Sequence, residues 1–414
     1  MTTNPTQIHL SWPGDPASSL CVTWQVPEAW AAWDLEHQSD DSGDFRPVRA
    51  ELFPSPGRGF LQRAHIEGLS ADTAVAFRFV NRGDPEQRTA VYRARTAPSG
   101  PRTGFSFIFF ADTGLIGRPD GNTTGTEAIY RRIPERDPLF LLGGGDYAYA
   151  NKDGRFDCIG DAVDEWFRQA EPMLSRFPLY AQYGNHEILL KERYEDWETR
   201  FAHPPGFDSE RSYAFDVAAV HFAALFMPDW TRVDQRHVDW LDDDLRRARE
   251  AGARRLIVFQ HESIYGHGKS HPSFRQVRDP LAPIFERHRV DLVLNAHDQN
   301  YERTYPLTHR KGADGLEPVV MDEGLRYYPN WKGVVYAKIS PAGKMSEKGN
   351  CFSKFTVPQQ EFIAVRDDTA HHYAEVSVTE DSAVAVCVIR YEPENDRFSV
   401  EDEFQLGGTR NAGT

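Results

Sequence analysis

Phe105-Ser106-Phe107-Ile108-Phe109-Phe110-Ala111-Asp112-Thr113-Gly114 is an apolar, strand-like run that stops at once in a polar, glycine-containing turn. The same grammar returns four times further along, at residues 139–142, 179–183, 256–259 and 290–294. Helical patterns lie between these runs. The clearest covers 233–251, with acidic residues early, arginines late and Gly252 placed as a stop signal. Apolar strands alternating with helices specify an α/β domain.

Upstream of this region the pattern is different. Short β-type runs at 8–12, 20–25, 48–53, 75–80 and 90–95 alternate with turn residues, as in a small β-sandwich. A Pro/Gly/Ser/Thr-rich linker at 96–104 separates the two, giving an all-β domain at 1–98 and an α/β domain at 99–414. Two alternating runs in 371–390, parted by Glu380-Asp381-Ser382, predict a closing hairpin.

Composition excludes several classes. Lys and Arg number 47 against 62 Asp and Glu, a net charge of −15, and no basic run offsets it, so nucleic acid is not an expected partner. No stretch approaches the ~20 apolar residues of a membrane span, and the first residues carry no basic-then-apolar leader, so a cytoplasmic protein is expected. Cys21, Cys158, Cys351 and Cys387 form no C-x-x-C pair and read as reduced thiols.

Each of the five apolar runs is followed directly by residues able to hold a metal: Asp112; Asp146 with Tyr149; Asn185 with His186; His261; and His297. Ligands bind at the carboxyl ends of strands in open α/β sheets, so these loops are expected to converge. Taken singly, each has a plain alternative as helix cap, turn residue or core histidine. Together they make a coherent donor set. Carboxylate, phenol and amide oxygens suit hard cations, and imidazole suits Fe, Zn or Mn. A carboxylate shared between two ions ~3.5–4 Å apart would serve an in-line displacement at phosphorus.

Ala111-Asp112-Thr113-Gly114, Gly145-Asp146-Tyr147-Ala148-Tyr149, Gly184-Asn185-His186-Glu187, Val258-Phe259-Gln260-His261 and the segment from Ala296 to Arg303 stand in the order seen in metallophosphoesterases. The spacing of Tyr149 and the Tyr301-Glu302-Arg303 ending resemble purple acid phosphatases in particular. The resemblance implies a calcineurin-like α/β/β/α sandwich preceded by a fibronectin type III-like domain. It also implies two metal ions, iron with iron, zinc or manganese, and hydrolysis of a small phosphorylated substrate by a metal-bound hydroxide. Carried over by position, Asp112 and Tyr149 would bind the first ion, Asp146 would bridge, and Asn185, His261 and His297 would bind the second. His186 would contact substrate and act as general acid. His267 and His271 are further candidates for contact with the phosphate, or else solvent-facing loop histidines. Oligomeric state is not legible.

Among the departures from the pattern, which include Ala111 and Ala296 in place of glycine, one touches the ligand set. Gln299 stands where the resemblance calls for a second histidine, a ligand of the first ion, and its amide oxygen is a weaker, neutral donor. Three outcomes follow: a two-metal site completed by Gln299 or water; a ligand-binding protein with a weak or empty first position; or a repurposed iron-dependent metabolic enzyme. Glu187 is one carbon longer than the aspartate often found there and is a candidate outer partner of His186. The aromatic segment 321–332, with Tyr327, Tyr328 and Trp331, is expected either to wall the substrate pocket or to pack between domains.

Overall fold

The structure is a computed structural model that describes residues 4–39, 43–101, 104–188, 194–269, 271–313, 315–346 and 351–408. Arg102 and Thr103, within the expected linker, lie outside the described residues.

The N-terminal unit is all β. Its four-stranded sheet runs Thr6–Ser11, Ser19–Val26, Phe60–Glu67, Ala50–Pro54, and faces a second sheet built on Trp33–Ser39 and Ala74–Asn81. The run 48–53, read as one strand, is divided. Arg46–Val48 pairs with Trp33–Ser39, whereas Ala50–Pro54 pairs with Phe60–Glu67, so the chain changes sheets at Arg49. Hydrophobicity alone does not reveal such a corner, because both halves keep the strand pattern.

Two larger sheets follow. One places Leu179–Ala181, Phe140–Gly143 and Phe105–Phe110 in parallel, continues through His371–Val378, Val384–Glu392 and Arg397–Leu406, and ends at Tyr327–Tyr328. The other holds Val220–Ala224, Arg255–Phe259, Leu292–Asn295 and Val335–Lys338 in parallel. The run 105–110 accounts for the layering through its two-residue period. Phe105, Phe107 and Phe109 enter the core between the sheets, where Phe107 meets Phe222 edge-on at 5.4 Å. Ile108 and Phe110 point the other way, into a second core with Trp166 and Phe167 of the helix Ile159–Leu174. A strand buried on both faces must be apolar throughout, and each fully buried large side chain contributes roughly 1.5–3 kcal/mol. Helices Gln235–Glu250 and Arg275–Arg287 cover the outer face of the second sheet. The order is therefore helix, sheet, sheet, helix, behind an all-β domain.

The helix expected at 233–251 forms as Gln235–Glu250, with Asp234 at its N-cap accepting from the Arg236 amide. The closing hairpin gains a third strand, Arg397–Leu406, which its charged side chains had masked. Trp12 ties the sandwich to the first large sheet by ring contacts of 6.1 Å with both Phe140 and Tyr180. Among the described residues no helix is long and apolar enough to cross a membrane.

Candidate metal centre and active site

The expected convergence occurs. The turns after Phe105–Phe110, Phe140–Gly143, Leu179–Ala181, Arg255–Phe259 and Leu292–Asn295 bring Asp112, Asp146, Tyr149, Asn185, His261, His297 and Gln299 together, all buried. The backbone is strained to achieve this. Asp112, Asp146, Tyr149 and His297 have φ of 54°, 55°, 50° and 76°, a left-handed region that costs a non-glycine residue roughly 1–2 kcal/mol. Glycines relieve the crowding. A Cβ on Gly184 would lie 2.2 Å from Asp146 Oδ1, and one on Gly145 would lie 2.5 Å from the Gly184 nitrogen.

On the His261 side, potential ligand atoms crowd together. His261 Nδ1 lies 2.7 Å from the Gly144 carbonyl and donates to it, which turns Nε2 toward the cluster. That Nε2 lies 3.3 Å from Asp146 Oδ2, 3.2 Å from Asn185 Oδ1 and 3.1 Å from His297 Nδ1. Ligand atoms of Asp146, His261 and His297 all fall within 4.8 Å of one another. Such a set is stable only around a shared positive charge. The titration behaviour agrees. Burial opposes charge on His261, but Asp146 and then Asp112 override it and hold its proton well above the ordinary histidine range. Asp146 is held far below the usual carboxylate range despite burial, by His261 first and His186 next. Burial and the neighbouring His271 and His261 keep His297 neutral, and its Nε2 is buried without a partner. The donor set fits a borderline or hard divalent ion.

The Tyr149 side differs, because the protein's own donors fill it. Asp112 Oδ1 accepts from the Tyr149 hydroxyl at 2.7 Å and from Gln299 Nε2 at 3.3 Å. Its Oδ2 accepts from Ser340 Oγ at 2.8 Å and from the His297 amide at 3.1 Å. Gln299 Nε2 also lies 3.2 Å from the Tyr149 oxygen and 3.1 Å from the His297 carbonyl. Gln299, an expected ligand, turns its amide nitrogen toward Asp112 and Tyr149, and that nitrogen has no lone pair for a metal. Burial, then Asp112 and Asp146, keep Tyr149 protonated.

Comparison with known proteins agrees with this geometry. The family described as calcineurin-like phosphoesterase matches residues 105–301. Purple acid phosphatase 21 of Arabidopsis thaliana is 30% identical over 338 residues, covering 77% of this chain and 71% of that protein. The chain belongs to the purple acid phosphatase family. Human acid phosphatase type 7 is 26% identical over 382 residues, covering 86% of this chain and 81% of that one. The fold matches purple acid phosphatase PPD1 from yellow lupin seeds with a TM-score of 0.79, at 16% identity, covering 98% of this chain and 74% of the other. Membership makes the protein a hydrolase of the metallophosphoesterase class, and the family implies a two-metal centre.

Within this purple acid phosphatase site several residues had no signal in the sequence. Ser340, Lys344 and Asn151 are common residue types in unremarkable contexts, and Ser340 and Lys344 lie far along the chain from every motif. Asn151 Oδ1 accepts from His186 Nδ1 at 2.8 Å, fixing the ring that stands 4.1 Å from Tyr149. Glu187 acts on the backbone and not on the histidine ring. Its Oε2 accepts from the amides of Asp146 at 2.7 Å and Gly184 at 2.8 Å, and its Oε1 from that of Tyr147 at 2.9 Å. One carboxylate therefore ties two ligand loops together.

Of the two candidate substrate histidines, His271 reaches the cluster, its ring 4.0 Å from that of His297, with Trp230 5.7 Å from His297. His267 is instead bound to Glu302, its Nδ1 2.8 Å from Oε1 and its amide 2.9 Å from Oε2. The aromatic segment 321–332 does not wall the site. Tyr327 and Tyr328 form the edge strand beside Arg397–Leu406, and Trp331 donates to the Val290 carbonyl, at the end of the sheet opposite the ligands. A second group of potential ligands, Asp367, His372 and Glu401, surrounds the Arg390 guanidinium, which lies 3.0 Å from Asp367 and 3.3 Å from Glu401 and already neutralises them.

Proposed function

We propose that the protein hydrolyses a phosphate ester of a small molecule, using a metal ion held by Asp146, Asn185, His261 and His297. The observation that carries this reading is the convergence of those four potential ligands at the strand ends of a purple acid phosphatase fold. When bound, iron, zinc or manganese there supplies Lewis acidity, neutralising phosphoryl charge and lowering the pKa of a coordinated water.

The chain's own residues do the remainder. Asp146 accepts from the His186 amide at 2.8 Å, which fixes the start of the short helix Asn185–Ile188 beside the cluster. Because the Nδ1 proton of His186 is directed to Asn151, its Nε2 is the atom that delivers a proton to the leaving alkoxide. His271 and Trp230 border His297 and form the wall against which the ester's organic part rests. The test is a panel of phosphate monoesters and diesters assayed with metal-supplied wild type and with Asp146→Asn. Turnover by wild type only is expected, whereas equal turnover by both proteins would remove the reading.

A further inference from the structure

The two halves of the centre have opposite chemistry. On the His261 side four potential ligand atoms crowd together with no fixed protein cation among them, the arrangement that a metal ion completes. On the Tyr149 side every oxygen of Asp112 already has two donors, from Tyr149 and Gln299 on Oδ1 and from Ser340 and the His297 amide on Oδ2. A carboxylate offers about four lone-pair sites, so this one is saturated by the protein.

Charge is supplied there as well. Lys344 is buried, and its ammonium nitrogen stands 4.2 Å from the centre of the Tyr149 ring. It is held in place from two directions: its amide donates to the Asp112 carbonyl at 3.0 Å, and its Nζ donates to the Met345 carbonyl at 3.1 Å. A fixed cation over the ring of a would-be ligand repels a second cation at that ligand's oxygen, and the repulsion grows with the charge on the ion.

We infer that this protein carries one resident metal ion, on the His261 side, and that the Gln299 carboxamide and the Lys344 ammonium replace the second ion of the family's centre. The inference rests on reading the His261 side as a metal site. Lys344 and Gln299 are then positioning residues: they hold Asp112 and Tyr149 through hydrogen bonds and charge, and they touch neither substrate nor the reacting atoms. Two things that an ion would do are thereby built into the chain: satisfying Asp112 and orienting Tyr149. Tyr149 remains a phenol that donates to Asp112, so iron bound on the other side would give no tyrosinate charge-transfer colour.

The full-length protein is incubated separately with excess Zn(II), Mn(II) and Fe(III), gel-filtered, and measured for metal per chain and for visible absorption. One equivalent of the retained metal and no tyrosinate band are expected for wild type. In Gln299→His/Lys344→Met the expectation is a second equivalent, with a tyrosinate band when Fe(III) is supplied. Two equivalents in wild type would overturn the inference while leaving phosphoester hydrolysis intact. No retained metal at all would overturn both this inference and the metal-dependent reading. Gln299→His alone, which preserves Lys344, is the second variant. A gain in its metal content above wild type supports the inference even where the double variant does not fold, and wild-type stoichiometry decides the matter in any case.

Discussion

His186 donates from Nδ1 to Asn151 Oδ1 across 2.8 Å, and this single hydrogen bond sets which nitrogen of the ring faces the cluster. If His186 protonates the leaving group, its loss is felt most where the leaving group is poor. His186→Ala is expected to lower kcat by ~10²–10⁴ for an alkyl phosphate and by much less for 4-nitrophenyl phosphate. Asn151→Ala, which frees the ring without removing it, should give a smaller loss with the same leaving-group dependence. Equal losses on both substrates would assign His186 to binding alone.

Glu187 offers a stability test inside the site. Its carboxylate accepts three backbone N–H bonds from two loops, and burial with the charge of Asp146 pushes its pKa up to about 8. Glu187→Ala leaves three buried donors unsatisfied and should cost about 3 kcal/mol or more. Glu187→Gln keeps one accepting oxygen and should cost roughly half as much. Urea denaturation midpoints would separate the two, and an unchanged midpoint in Glu187→Ala would remove the clamp.

Asp146 lies on the His261 side, its Oδ2 3.3 Å from His261 Nε2. Asp146→Ala is expected to abolish metal retention, beyond the ~10–100-fold weakening that outer-shell changes produce. Elemental analysis after gel filtration reads the result directly. Undiminished metal content would mean that the ion sits elsewhere.

Away from the site, His221 lies between Asp216 at 2.9 Å and Asp244 at 2.8 Å. Burial lowers its pKa, but the two carboxylates override this and bring it up to about 9. A histidine whose folded pKa exceeds its unfolded value stabilises fully below about pH 6.5, and the contribution fades as pH rises through 9. On the order of 2 kcal/mol should therefore be lost across that window. Thermal unfolding of His221→Gln against wild type at pH 6 and pH 9.5 checks it: a large difference at the lower pH and a small one at the higher are expected.

The ligand turns were legible in the sequence because Asp112, Asp146, Asn185, His261 and His297 each follow an apolar run by two to four positions, and strand ends are where such residues meet. The layered fold was legible for a related reason: strands buried on both faces leave unbroken apolar runs such as 105–110. What stayed hidden depends on three-dimensional proximity. Ser340 and Lys344 approach Asp112 from more than 200 residues away, and nothing in their local sequence marks them. Trp230 reads as an ordinary loop aromatic until it is seen beside His297. The third strand of the closing meander, Arg397–Leu406, was obscured by its four acidic and basic side chains. Gln299 was visible as a departure, yet its role as donor depended on which atom of its amide faces Asp112.

The central claim, a metal-dependent phosphoesterase whose ion sits on the His261 side, is tested most directly by chelation and re-supply. Wild type, His261→Ala and His297→Ala would each be stripped with chelator, divided, and assayed for phosphate release with and without added Zn(II), Mn(II) or iron. The account predicts that stripped wild type is inactive, that metal restores hydrolysis, and that neither variant recovers. Hydrolysis by stripped wild type, or full recovery by either histidine variant, would contradict it.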